Sequence, residues 1–201
     1  MDTYFDLGEY SFPVTTQSTE AQKWFDRGIL WTYGYNHEEA VMCFERAIGA
    51  DPKCAMAYWG AGYASGPNYN MPWDLFDYAG RAAAARAGYA HARKALDMID
   101  GVTRWEAALI NALPARYPQP EPLDPEMMKA WNVDFADAMR DVFAVHPESH
   151  EVRTVFAESL LNLTPWKMWD LPSGKPAANA RTVEAQKMLE EALEGDPSAM
   201  H

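Results

Sequence analysis

The chain has 201 residues, 48% hydrophobic and 13% aromatic, enough apolar material for one ordered domain or one short array of repeats. Acidic residues outnumber basic ones 29 to 17, and the formal net charge of -12 repels a phosphate backbone, which argues against a nucleic-acid partner. No apolar stretch approaches the ~20 residues that span a bilayer, and Met1 to Gln22 has neither a basic start nor an apolar run, so we expect no membrane segment, no secretory signal and a cytoplasmic location.

Residues 1–17 read as an N-terminal arm ahead of a helical array at 18–201. A first helix is expected over 18–33, opening with the capping chemistry of Ser18, Thr19 and Glu20 and ending at Gly34 and Asn36. A second, over 37–49, sets Ala40, Cys43, Phe44, Ala47 and Ile48 on one face and stops at Asp51-Pro52, where proline cannot continue a helix. Small Gly28 and Ala40 let these two helices cross closely, with Trp24 and Phe44 filling the space beside the crossing. Further helices are expected at 54–65, 74–99, 103–115, 125–145, 148–162 and 179–195, which makes the chain all-α with about four helix pairs. Two first helices run into long loops, GPNYNMPWD and NLTPWKMWD, where an ordinary hairpin would have a tight turn. Tyr117 to Pro122 and Leu171 to Ala178 read as linkers, neither of them a domain boundary.

Trp24-x3-Gly28 followed by Ala40-x3-Phe44-x2-Ala47-x4-Pro52 resembles the tetratricopeptide repeat, and Ala185-x3-Leu189-x2-Ala192 leading to Asp196-Pro197 repeats its second half. The chain is also similar to a group of bacterial and fungal repeat proteins sharing YNHEEA and GPNYN motifs, over Val14 to Gly28, Tyr35 to Ala47, Asp51 to Asn70 and Asn162 to Asp170. The resemblance implies a curved solenoid of helix pairs and implies no particular chemistry. A solenoid needs a polar terminal cap. Asp196-Pro197 stands where another helix should begin, so either a longer parent or a second copy, giving a homo-oligomer, is expected to cover that end.

Two surfaces are candidates for function. In the first helix Phe25, Ile29 and Tyr33 would face a concave groove suited to an apolar peptide or helix, unless the arm itself, Tyr4 to Val14, lies there. Along one rim of the stack, Asn36, His37 and Glu38 would line up with Asn68, Tyr69, Asn70 and Trp73 and with Asn162, Trp166 and Trp169. Asparagine amides beside indole rings can orient a small polar ligand while excluding water, although Asn also caps helices and Trp also fills gaps between repeats. His37 with Glu38 or Glu39 would suit a transition metal ion, but no third ligand is identifiable nearby; His146, His150 and His201 are distant candidates. Cys43 and Cys54 read as buried thiols, and no nucleophile elbow, phosphate-cradling loop or H-E-x-x-H pair is present. The leading expectation is therefore a protein or peptide interaction scaffold with an apolar concave groove and no cofactor. The alternative is a metal-dependent or small-ligand enzyme of secondary metabolism built around His37 and Asn68 to Asn70.

Overall fold

Helix starts in this chain are written in its capping residues. The computed structural model describes residues 4–195. Ser18 accepts from the Ala21 N–H and opens α1 (Thr19–Tyr33); Asn36 accepts from the Glu39 N–H and opens α2 (His37–Ala50). After α3 (Ala55–Ser65), Asp77 caps α4 (Tyr78–Leu96). A reciprocal Thr103–Glu106 capping box opens α5 (Arg104–Ala112), and Asp124 with Pro125 in the first turn opens α6 (Pro125–Val145). Ser149 caps α7 (His150–Leu161), and α8 is Thr182–Gly195. Between α7 and α8 runs a short antiparallel ribbon, β1 (Trp169–Asp170) with β2 (Lys175–Pro176).

The described residues are thus all-α apart from that ribbon. The largest boundary difference is α4, which starts four residues later than expected because Asp77 is its cap and Trp73 belongs to the preceding loop. His146 ends α6 and His150 begins α7, so the two share no helix. Asp196-Pro197 and His201 lie outside the described residues.

Successive helices pack on one another, α1 on α2, α2 on α3, α3 on α4, and again α5 through α8, while α3 also touches α1 and α5. Aromatic wedges set the spacing. A β-carbon at Gly28 of α1 would lie 2.6 Å from Cε1 of Phe44, and one at Gly60 of α3 would collide with the same ring. Gly28 therefore leaves room for Phe44 itself, the ring that holds α1 and α3 apart. Tyr117 does the same farther along, between Gly66 and Gly88, with its hydroxyl donating to the Gly62 carbonyl at 2.7 Å. Expected as the start of a linker, Tyr117 is instead fully buried.

The arm corrects the expected groove. Phe25 and Ile29 are buried core residues, not open groove positions. Phe12 packs edge-on to Phe25, with ring centres 5.5 Å apart, and stacks on Trp105 at 5.2 Å. Hydrogen bonds run the arm along α1: the Phe12 N–H donates to Asp26 and the Val14 N–H to the Gln22 amide oxygen, each at 2.9 Å, while the Gln22 amide nitrogen donates to the Phe12 carbonyl. The arm ends on Glu106, whose carboxylate accepts from the N–H and hydroxyl of Thr15, both at 2.6 Å, and from those of Thr103, both at 2.7 Å. Four donors, one on Oε1 and three on Oε2, surround this fully buried carboxylate.

Candidate functional site

The two unusual loops meet. Residues 66–74 are held from below by Arg116, a fully buried guanidinium that donates to the Pro67 carbonyl. Its carbon lies 4.9 Å from the Tyr63 ring centre and 5.0 Å from that of Phe135, so two aromatic faces stand in for water around the charge. Asn68 is buried, and its Oδ1 accepts from the N–H groups of Asn70 and Met71 at 2.9 and 3.0 Å. That amide shapes the turn and is spent on it. The turn delivers Trp73 into the interior, edge-on to Trp131 with ring centres 6.1 Å apart.

Residues 162–170 approach from the end of α7. Asn162 is the C-terminal cap there, buried, with its amide nitrogen donating to Glu158 Oε1 at 2.5 Å. A carboxylate can only accept, so the Asn162 nitrogen must face Glu158 and Oδ1 must face away from it. Trp166 takes a positive φ of 58° and stays 59% exposed, with its indole nitrogen 3.5 Å from Asn70 Oδ1 across the gap between the loops. The Thr182 hydroxyl donates to the Met168 carbonyl at 2.7 Å and fastens the far end of the loop to α8.

Between the loops and α6 lies a cleft of about 370 Å³, lined by Trp73, Leu75, Asn132, Val133, Asn162 and Trp166, among others. Its volume is that of a small-ligand site, which typically spans about 300–1,000 Å³. Three wall residues hold a buried polar atom with no hydrogen-bond partner among the described residues: Trp73 Nε1, a donor, and Asn132 Oδ1 and Asn162 Oδ1, both acceptors. Leaving a buried group unpaired costs about 1–3 kcal/mol.

The other rim residues divide between this cleft and a shallower depression of about 610 Å³, where Tyr35, Asn36, His37 and Glu38 meet Asn68 and Met71. Asn36 is the α2 cap and Glu38 is exposed in its first turn. His37 Nδ1 lies 3.1 Å from the Ala64 carbonyl; since a carbonyl only accepts, that nitrogen carries the hydrogen. Burial pushes the His37 pKa below the usual imidazole value of 6.5. Tyr69 is half-buried and Asn70 exposed, while Trp169 sits in β1, partly exposed. Tyr33 lines a separate, smaller cavity with Tyr63 and Glu158. No group of three or more His, Cys, Asp or Glu residues placed to share a metal ion occurs among the described residues.

Sequence reasoning missed Asn132, Glu158 and Arg116. Asn132 had a readable signal, a lone amide on the apolar face of α6 formed by Met128, Trp131, Phe135 and Met139. Arg116 and Glu158 had none, because what matters about them is which distant helix each one faces. The class defined by these elements is an all-α protein with a cleft between two tryptophan-bearing loops. A scan against protein-family models and a search of curated proteins both return no match to this chain.

Proposed function

We propose that the chain is a noncatalytic binding module, a tetratricopeptide-like stack of four helix pairs whose loop cleft seats an extended peptide segment of a partner protein. The single observation that carries this reading is the cleft itself, about 370 Å³ between the two loops and α6, walled by the indole of Trp73 and the amides of Asn132 and Asn162. A peptide group presents one acceptor and one donor, the complement of an indole N–H beside amide oxygens. Exposed Leu75, Val133 and Trp166 around the mouth supply apolar area for side chains of the same segment. The repeat-like reading is supported by the serial packing of neighbouring helices and by the recurrence of an aromatic wedge between glycines, first Phe44 and then Tyr117. With Phe25 and Ile29 covered by the arm, the loop cleft replaces the first-helix groove as the binding surface.

Panning a random-peptide display library against the protein tests this. Selected peptides should lose about tenfold or more in affinity, ~1.4 kcal/mol, on Trp166→Ala and on Val133→Glu, two exposed positions whose change spares the core. The reading fails if peptides selected on the parent bind both variants as tightly.

A further inference from the structure

A smaller cavity includes Glu158, the carboxylate to which Asn162 donates. It has a volume of about 140 Å³ and is lined by residues of α1, α2, α3, α7 and α8, with Tyr33, Tyr35, His37, Tyr63 and Glu158 as its chemistry-bearing members. We infer that this cavity is a binding site for an organic ammonium head group, held over the Tyr33 and Tyr35 rings with Glu158 as counter-ion.

The carboxylate is the first argument. Glu158 Oε2 accepts from the Tyr63 hydroxyl at 2.6 Å and Oε1 from the Asn162 amide at 2.5 Å. Those two bonds use two of about four acceptor positions and fix the orientation of the group. Both donors are neutral, and Glu158 makes no ion pair among the described residues. Arg116 makes no ion pair with it and acts through the field, its guanidinium lying over the Tyr63 and Phe135 rings and donating to the Pro67 carbonyl. His37 does not supply the missing charge either, because burial favours its neutral form. A half-buried carboxylate, aligned by neutral donors and with no cation within ion-pair distance among the described residues, is the electrostatic half of an ammonium site.

The aromatic walls are the second argument. Tyr63 is already stacked on Trp59 at 5.2 Å and lies under the Arg116 guanidinium, so its part is to hold Glu158. Tyr33 and Tyr35 are the remaining tyrosines of the wall. Tyr35 has φ of 59°, the left-handed residue that ends α1, with its own N–H donating back to the Thr32 carbonyl and the Asn36 N–H to the Trp31 carbonyl. In that conformation its ring lies nearly parallel to His37, 14° between planes and 6.3 Å between centres, while the residue remains 39% exposed. Aromatic faces bind cations within about 6 Å of the ring centre, and most strongly quaternary ammonium groups, which have no hydrogen bonds to lose.

Size and field agree. The cavity is well below the ~300 Å³ of a drug-sized pocket and about ten times the volume that holds one water, which suits a head group and excludes a large ligand. Leu161, Leu189 and Thr154 add apolar lining for methyl groups. Burial first, and then the charge of Glu151, two turns before Glu158 on the same face of α7, raise the pKa of Tyr10 and Tyr33, and that charge extends the negative potential along the approach.

Isothermal titration with tetramethylammonium chloride, and with uncharged tert-butanol as the control of similar shape, tests the site. The parent should bind the cation saturably at one site and show no saturable heat with the alcohol. Tyr35→Gly removes the ring and suits the positive φ, so it should keep its melting temperature and lose about tenfold in affinity. Glu158→Gln should lose at least as much, and Trp166→Ala, in the loop cleft, should leave the cation's affinity unchanged. No saturable binding by the parent, equal binding of cation and alcohol, or an unchanged affinity in folded Tyr35→Gly would each overturn the inference. None of these outcomes depends on whether a peptide occupies the loop cleft.

Discussion

Gly28→Ala offers the sharpest test of how the helices are spaced. The new methyl would lie 2.6, 2.7 and 2.8 Å from Cε1, Cδ1 and Cζ of Phe44, closer than carbon atoms approach in folded proteins. The ring cannot retreat, because Gly60 of α3 presses it from the other side and the residue is fully buried. Replacing Gly by Ala within a helix favours folding by about 1 kcal/mol through propensity alone. Overpacking a tight core works against it by about 1–3 kcal/mol, so the net effect at position 28 should be a loss of up to about 2 kcal/mol. Gly49→Ala, on α2 with nothing within 4 Å of the new carbon, isolates the propensity term and should stabilise by up to about 1 kcal/mol. Trimming the wedge should reverse the sign: in a Phe44→Leu background, Gly28→Ala should become stabilising, with a coupling energy of about 1–3 kcal/mol. Urea unfolding followed by far-ultraviolet dichroism on the four members of that cycle gives the coupling directly. If Gly28→Ala stabilises the parent as much as Gly49→Ala does, Phe44 is not a spacer and the argument for glycine at 28 and 60 fails.

Other consequences can be measured alongside it. Glu106→Ala removes one acceptor from four donors and breaks the α5 capping box; it should cost about 3 kcal/mol and open the segment 4–17 to limited proteolysis, which leaves that segment intact in the parent. Arg116→Met takes away the anchor of residues 66–74 and should cost about 2–3 kcal/mol, and Arg116→Lys should not restore it, because a point charge cannot spread between two rings and a carbonyl as a guanidinium does; thermal melts decide. His37 and His91 both have pKa values lowered by burial, so the stability they contribute is present above about pH 6.5 and is lost as pH falls below 6.5 through their folded-state values. The melting temperature should therefore decline on acidification through this window and decline less in His37→Gln; an equal decline in that variant would remove His37 from the account.

Helical segments were legible because their signals are local. Ser18, Asn36, Thr103 with Glu106, Asp124-Pro125 and Ser149 each announce a helix start within three residues, and Asp51-Pro52 announces a stop. The tryptophan loops were also visible as departures from ordinary turns, and Trp73, Asn162 and Trp166 do line a common cleft. Asn36 and Asn68 mattered for the duller of the two readings weighed for them, capping a helix and shaping a turn.

Local chemistry by itself determined the helices, their caps and the all-α class, since capping and 3.6-residue periodicity act over a few neighbouring residues. Tertiary structure alone decided what covers what. The same apolar run in α1 is an open groove or a sealed core depending on whether Phe12 lies against Phe25. Glu158 is an ordinary surface acid or an aligned, unpaired carboxylate depending on Tyr63, 95 positions away. Burial and charge compensation belong to pairs of residues distant in the chain, and no window of sequence contains both members.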